Sequence, residues 1–288
     1  MNNYVLVTDS ACDLPYEYLE KNGILCVDLS LIFDSDNARY YNSEISVNDF
    51  YEKLKNGDTS KTSAPNPDEF GLVFENILKQ EKDIIYIGLD SALSTTVTSA
   101  SIAADELSEK YPERKIYVVD SLCASAGEGL AVCKTSEYMK TGKSLEEAYQ
   151  YAINICPRIS HRFTVETLTY LKRGGRIGAA SCTIGNMLNI KPVLHVDNEG
   201  HLINTAKAHG RAKSLEMLVE AYGKTAEQLQ SSDIIISHAD CAADAERLAS
   251  ALAERFDAKV SMITNIGPVI GSHAGPGTIA LFFIANER

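Results

Sequence analysis

Short apolar runs that end in polar residues recur in the first half of the chain, at residues 4–10, 83–91 and 115–121. Such continuous runs, rich in β-branched residues and without alternation, are typical of strands buried on both faces of a parallel sheet. Between them, residues 66–80 and 95–110 show the apolar spacing of helices. Because strands that alternate with helices form crossover units, we predict an α/β domain with a parallel sheet.

Two signals mark helix starts in this half. Asn66 suits an N-cap position, and Pro67 suits the first helical position that follows it. Ser144 and Glu147 have the spacing of a capping box, in which each side chain bonds the backbone N–H of the other residue. These signals predict that helices begin directly after Asn66 and Ser144.

The pattern changes in the second half. Residues 190–208 indicate two short strands joined by a turn at residues 197–200, and the residues of this turn are typical of a β-hairpin. An amphipathic helix is predicted over residues 240–256 with Asp240 as its cap, and further strands are predicted over residues 233–240, 259–267 and 278–285. A hairpin mixed with helices predicts an α+β domain with a mixed or antiparallel sheet.

The helix-ending Pro157 indicates where the two domains divide. We therefore expect an α/β domain over residues 1–157 and an α+β domain over residues 158–288. Segment 58–80 is a candidate for packing against the second domain.

The formal charge of −12 changes the list of expected partners. Nucleic-acid binding needs a basic stripe, and the Lys and Arg residues of this chain are scattered, so no nucleic-acid partner is expected.

No apolar run approaches the roughly 20 residues that span a bilayer. The first ten residues lack the pattern of a signal peptide. We expect a cytoplasmic protein without integral membrane contact.

Cysteine usage excludes a disulfide or metal framework. The count is odd and no two cysteines form a C-x-x-C pair, so reduced thiols are expected. The chain also lacks a metal-ligand spacing such as H-E-x-x-H, and we expect neither metal nor cofactor. The cysteines are Cys12, Cys26, Cys123, Cys133, Cys156, Cys182 and Cys241.

Hydroxyl side chains concentrate where the predicted strands end, most densely in residues 91–99. In open α/β sheets, ligands bind outside the carboxyl ends of the strands. Helix capping explains such residues one at a time. Six hydroxyls in one stretch also favour anion capture at a helix N-terminus, where unpaired N–H groups and the helix dipole attract negative charge. The residues leave both interpretations open, with Ser94 as the candidate anion ligand.

Other candidates also have two readings. Thr62 and Ser63 precede a predicted helix and suit either an ordinary loop or a ligand site. The Lys and Arg side chains of residues 172–176 surround a glycine pair, and they are typical of either a phosphate-binding site or a solvated basic loop. His273 lies among glycines that let the backbone approach a ligand, and it suits either a functional or a structural role.

An enzymatic alternative uses acidic strand ends. Asp9 and Asp120 would form a carboxylate pair if their strands were adjacent, although helix capping explains each of them better. With His273 they would support a phosphotransferase or hydrolase that acts on a small acid.

Seven motifs in order along the chain resemble the DegV family. The resemblance covers nearly the whole chain, and its strength lies in the order of the motifs. They are Val7–Ser10 with Asp13–Pro15, Thr62–Pro65, Leu93–Thr96 with Ser99 and Ala100, Asp120 and Ser121 with Ser125, Gly127 and Gly129, Leu171–Ile177, Ile190–Leu194, and Gly271–Gly277.

This resemblance implies a two-domain fold that holds a long-chain fatty acid, such as palmitate, between the domains. It implies a lipid-binding protein rather than an enzyme, and a kinase subunit as the partner that phosphorylates the bound carboxylate. Thr62 and Ser94 would bond the carboxylate, with Arg173 and His273 near it and Ser63 and Thr95 beside it. The partner surface would include Lys172, Arg176, Lys207, His209 and Arg211.

The chain departs from the family pattern at four of these positions. Thr95 stands where the family usually has Gly, Ala64 and Asn66 replace Gln and Ser, and His209 stands where Arg is common. Thr95 adds a β-branched side chain at the expected head-group site, and His209 changes the expected partner surface.

Overall fold

The computed structural model describes residues 3–178, 189–286 and 288, and its strands form three sheets. The strands are β1 (Tyr4–Asp9), β2 (Leu25–Val27), β3 (Ser30–Phe33), β4 (Arg39–Tyr41), β5 (Ser60–Ser63), β6 (Asp83–Gly88), β7 (Ile116–Asp120), β8 (Ile159–Thr164), β9 (Ile190–Val196), β10 (Leu202–His209), β11 (Ile234–His238), β12 (Met262–Asn265) and β13 (Ile279–Ile284). The helices are α1 (Tyr16–Asn22), α2 (Val47–Lys55), α3 (Pro67–Leu78), α4 (Thr96–Lys110), α5 (Ala126–Met139), α6 (Leu145–Ile155), α7 (Thr169–Arg173), α8 (Arg211–Thr225), α9 (Ala242–Phe256) and α10 (Pro268–Ala274).

The first large sheet is parallel, as the unbroken apolar runs predict. Its strand order is β2-β1-β6-β7, and every pair is parallel. The predicted caps are also confirmed: the Asn66 and Ser144 side chains accept from the N–H groups of Glu69 and Glu147, which complete two capping boxes at the starts of α3 and α6. These caps fix helices α3 and α6 beside the sheet.

The second large sheet is mixed, which confirms the α+β prediction for this half. Its order is β10-β9-β8-β13-β11-β12, with antiparallel pairs except for the parallel pair β11–β12. The predicted hairpin joins β9 and β10, and Gly200 in its turn has a φ of 87°. The stretch between α6 and β8 is a short 3-10 turn at Cys156–Arg158. We propose that the domain boundary lies there, between residues 157 and 158.

A third, antiparallel sheet of three short strands, β4-β3-β5, joins the two halves. Strands β3 and β5 pack against α10, and the Oγ atoms of Ser60 and Ser272 are 2.7 Å apart. In contrast, α3 packs against α4 and β6. Segment 58–80 is therefore divided: its strand contacts the second half, and its helix covers the first sheet.

Helix α5 lies between the two large sheets. It packs against β1 and β6 of the first sheet and against β8, β11 and β13 of the second, and most of its residues are buried. One apolar cluster extends through α5 from Leu6 to Phe282 and so includes both sheets. This continuous packing holds the facing edges of the two sheets together.

One local expectation was wrong, and two of the candidate sites lie in regular secondary structure. The N-cap of α9 is Cys241, and Asp240 instead has a left-handed backbone, at a φ of 53°, and pairs with Lys55. Thr62 and Ser63 belong to strand β5, where pairing with β3 extends the backbone. His273 lies in the last turn of α10, because Pro268 starts a helix that the left-handed Gly275 ends.

Six of the seven cysteines are free thiols, and Cys182 lies outside the described residues. Among the described residues, no group of three or more His, Cys, Asp and Glu side chains could hold a metal ion. Within those same ranges, no helix is long and apolar enough to cross a membrane.

Candidate functional site

A cavity of about 420 Å³ lies between the two large sheets. Its lining is mainly apolar, and one group of polar side chains lies together at one end. We call that end the mouth, defined by Thr62, Ser94, Thr95, Arg176 and His273. The apolar wall draws on both halves of the chain and includes Leu29, Leu89, Phe163, Val269, Ala280 and Phe282.

The cavity follows strand β13 away from the mouth. Thr278, Ala280 and Phe282 line it in alternation, as expected for one face of a strand. Thr278 lies at the mouth end, because its hydroxyl donates to the carbonyl of Ala274, which follows His273 directly. At about 3.3 Å per residue, Thr278 and Phe282 lie about 13 Å apart along this strand.

Thr62 and His273 are joined at the mouth although they are distant in sequence. Thr62 Oγ1 and His273 Nε2 are 2.8 Å apart. Burial, together with the charges of the nearby Arg176 and Arg173, lowers the pKa of His273 to about 4, so the ring is neutral near pH 7. One ring nitrogen therefore carries a proton and the other is an acceptor.

The surroundings of this ring assign its tautomer. His273 Nδ1 is buried against Gly174 and has no partner among the described residues. A buried N–H without a partner is rarer in proteins than an acceptor without one, so we assign the proton to Nε2. Nε2–H then donates to Thr62 Oγ1, and the Thr62 hydroxyl proton remains available to a ligand.

Ser94 and Thr95 form the mouth at the start of α4. Ser94 Oγ accepts from the backbone N–H of Thr96 at 3.3 Å, and it lies 2.8 Å from Thr96 Oγ1. Thr95 is exposed and has no side-chain capping bond. Its φ of −83° and ψ of 5° suit a β-branched residue, so this backbone does not require the glycine that the family usually has.

A cation also lines the mouth. Arg176, which the resemblance placed on the partner surface, donates from Nε to the carbonyl of Leu93 at 3.0 Å and from Nη1 to the carbonyl of Gly174. These bonds tie the segment after α7 to the loop before α4. The mouth therefore combines neutral hydroxyls with one guanidinium.

The other expected head-group residues lie outside the cavity lining. Arg173 is exposed, and its guanidinium carbon is 4.9 Å from the centre of the Tyr170 ring. Its charge nevertheless contributes to the low pKa of His273. Ser63 is exposed beside Thr62, because neighbouring residues of a strand face opposite sides.

The expected partner residues differ in exposure. Lys172, Lys207 and His209 are exposed. Arg211 is partly buried, and its Nε donates to Asp244 Oδ2 at 2.8 Å. This ion pair holds the Arg211 side chain between α8 and α9.

Three polar residues of the lining that do not define the mouth already have partners. Ser125 Oγ donates to Asp13 Oδ2 at 2.5 Å, and the Thr278 hydroxyl bonds backbone carbonyls. His161 Nδ1 lies 3.1 Å from the carbonyl of Ile159, and its Nε2 accepts from the N–H of Ala124 at 3.3 Å. The interior therefore presents satisfied groups, and the mouth presents hydroxyls with a proton to donate.

The proposed carboxylate pair does not form. Strand β6 lies between β1 and β7, so Asp9 and Asp120 are not on adjacent strands. Asp9 is buried and accepts from Tyr86 and from the N–H groups of Ala11 and Leu89. Asp120 accepts from backbone N–H groups at residues 91 and 122. Both carboxylates cap local structure, and neither belongs to the cavity lining.

Sequence reasoning missed the interior residue His161. It is buried on β8, and its ring meets that of Phe282 edge-on, with centroids 5.2 Å apart. No local motif marks it, because its position depends on pairing between β8 and β13. Strand alternation would have assigned it a face only after that pairing was known.

Known proteins resemble this chain over its full length. A family model described as "Uncharacterised protein, DegV family" matches residues 3–286. A DegV domain-containing protein of Clostridium perfringens is 42% identical over 291 residues, which cover 100% of this chain and 99% of the relative. A solved structure described as showing fatty acid binding of a DegV family protein from Thermus thermophilus is 32% identical, with a TM-score of 0.88 over 99% of this chain and 100% of the other. A DegV lipid-binding protein from Thermotoga maritima is 28% identical, with a TM-score of 0.87 over 100% of both chains. The chain belongs to the DegV family.

Proposed function

We propose that this protein binds a long-chain fatty acid in the cavity between its two sheets, with the carboxylate at the mouth. One observation carries the proposal. The cavity has an apolar interior in which the polar groups are already hydrogen-bonded, and at one end it has hydroxyl groups with protons to donate. An amphiphile with a single polar end fits this arrangement. The binding of fatty acid and lipid described for the two solved relatives supports the same ligand class.

The acyl chain would supply most of the affinity. Each methylene transferred from water into an apolar wall contributes about 0.8 kcal/mol. A volume of about 420 Å³ lies within the usual range of ligand sites, which extends from about 300 to about 1,000 Å³. The rings of Phe163 and Phe282 and the branched side chains around them provide the apolar contact.

The head group would bond Thr62 and Ser94. Thr62 accepts from His273, Ser94 accepts from the backbone N–H of Thr96, and each hydroxyl would donate its own proton to a carboxylate oxygen. The N-terminus of α4 adds the positive end of a helix dipole beside Thr95. Arg176 balances the ligand's charge without leaving its backbone partners.

A kinase subunit is the partner that this arrangement suits. Because the carboxylate would lie at one end of the cavity, a phosphoryl-transferring partner could reach it while the chain stayed buried. Exposed side chains would contact this partner: Lys172, which is near Arg176 of the mouth in sequence, Lys207 and His209. Arg211 would act indirectly, because Asp244 already holds it.

The rival function, a phosphotransferase or hydrolase on a small acid, finds less support. It needs Asp9, Asp120 and His273 in one site. The two carboxylates are occupied as caps at strand ends that are not neighbours, and only His273 lines the cavity.

The test is to identify what the purified protein carries and takes up. Solvent extraction followed by mass spectrometry should give a long-chain fatty acid at about one per chain. The delipidated protein should then bind added hexadecanoic acid in a calorimetric titration. An empty extract together with no heat of binding would overturn the proposal.

A further inference from the structure

The cavity ends at a single row of side chains that crosses four neighbouring strands. We call this row the floor and define it as Leu202, Val196, His161 and Phe282, from β10, β9, β8 and β13. Phe282 pairs with His161, and Leu202 pairs with Val196. Arg162 pairs with His195 in antiparallel register, which places His161 level with Val196.

The lining stops at this row. Ile159 and Ile284, which also pair with each other, are the next residues on the same faces of β8 and β13. Both lie outside the cavity lining, and Ile159 is fully buried. The floor is therefore the last row that a ligand can touch on these strands.

A charged group lies beyond the floor. Arg288 Nη2 is 3.3 Å from Cys123 Sγ, and both residues are outside the lining, although Ala124 next to Cys123 belongs to it. Its charge acts on His161 and on Asp90. Its Nε and Nη1 are buried and have no partner among the described residues, so an alkyl chain that passed the floor would lie against a charge that it cannot solvate, which is costly.

The His161 ring is held from several sides. Both nitrogens are bonded, to Ile159 and Ala124, and the ring edge meets Phe282. On α5, a Cβ added at Gly127 would lie 2.1 Å from Nε2, so the ring packs directly on the helix backbone. A ring held in this way acts as a fixed wall.

We propose that the floor, with His161 at its centre, sets the longest straight acyl chain that the protein accepts. The inference rests on the proposed function, since it assumes a carboxylate at the mouth. Removing the His161 ring gives the terminal carbons of the chain new room. A larger side chain at Ala280, one row nearer the mouth, removes room.

The experiment is a competition between hexadecanoic and eicosanoic acid on the full-length delipidated protein. Bound acids are extracted after gel filtration, and their ratio is measured by mass spectrometry. His161→Ala should raise the eicosanoic-to-hexadecanoic ratio about 15-fold if it buries two more methylenes, at about fourfold each. Ala280→Leu should lower the ratio. The control Ile153→Ala shortens an exposed side chain on α6, outside the lining, and should leave the ratio unchanged.

The outcomes separate this proposal from the function on which it rests. If the wild-type protein retains neither acid, the proposed function fails. If it retains acid but the ratio is the same in wild type, His161→Ala and Ala280→Leu, the function stands and the floor proposal is overturned. Thermal unfolding of each variant confirms that the ratios come from folded protein, and Ala280→Leu tests the proposal even if His161→Ala does not fold.

Discussion

Two histidines line the same cavity from opposite ends, and their surroundings differ. At the mouth, His273 uses Nε2 to bond Thr62, and its Nδ1 is without a partner among the described residues. At the floor, both nitrogens of His161 are bonded to backbone groups. Burial lowers the pKa of both rings, so both are neutral near pH 7.

The difference shows how one residue type serves two purposes. His161 has no bond left to offer, so it acts on a ligand through its shape. His273 polarises a hydroxyl that faces the cavity, so it acts through hydrogen bonding. In each case a glycine makes room for the ring: a Cβ at Gly127 would lie 2.1 Å from His161 Nε2, and a Cβ at Gly174 would lie 2.1 Å from His273 Nδ1.

The largest effect is expected at the floor. Gly127→Ala would force the His161 ring away from α5, and overpacking of this kind lowers the free energy of unfolding by about 1–3 kcal/mol. The matched control is Gly71→Ala in α3, where no atom of the residues that the structure describes lies within 4 Å of an added Cβ. The control should gain about 0.4–1 kcal/mol from the stiffer unfolded chain. Urea unfolding measures both, and equal stability of the two variants would show that the ring is not fixed.

At the mouth, the corresponding change should weaken binding. Gly174→Ala would displace His273 and break its bond to Thr62, which lowers the affinity for hexadecanoate about tenfold through the loss of an oriented donor. In Gly178→Ala no atom of the described residues lies within 4 Å of the added Cβ, so this control should bind like wild type. Isothermal titration compares the two, and matching affinities would argue against a role for His273 in positioning Thr62.

The smallest effect concerns pH. Because the pKa of His273 is lowered to about 4, its ring stays neutral from about pH 8 down to about pH 6, and affinity should change by less than about twofold on its account. A ring that gained a proton in this range would attract the carboxylate, and affinity would rise as pH fell. Titrations of wild type and His273→Asn across this range separate that contribution. If the affinity of wild type rose on acidification and the affinity of the variant did not, the result would contradict a neutral His273 ring.

The sequence predicted most strands of the large sheets because their signals are local, but it did not predict β2 or β8. Unbroken apolar runs gave β1, β6 and β7, and the cap pairs of Asn66 and Ser144 marked the starts of α3 and α6. The small third sheet was missed because its strands are three or four residues long, too short for a period to appear.

The site was predicted in part, for a similar reason. Motifs identified Thr62, Ser94 and His273, but the resemblance placed Arg176 on a partner surface, whereas it bonds Leu93 across the mouth. That bond joins residues 83 positions apart in the chain. The floor likewise depends on pairing among β8, β9, β10 and β13. Contacts of this range have no local signature from which a single sequence could predict them.

The central claim is that a fatty acid carboxylate is held by two hydroxyls at the mouth, and one titration tests it most directly. The double variant Thr62→Ala with Ser94→Ala is compared with Ser63→Ala, which removes an exposed hydroxyl outside the lining. The double variant should bind hexadecanoate about a hundredfold more weakly, because two hydrogen bonds to a charged group are lost. Ser63→Ala should bind like wild type. Equal affinity in the double variant and wild type, with both folded, would contradict the account.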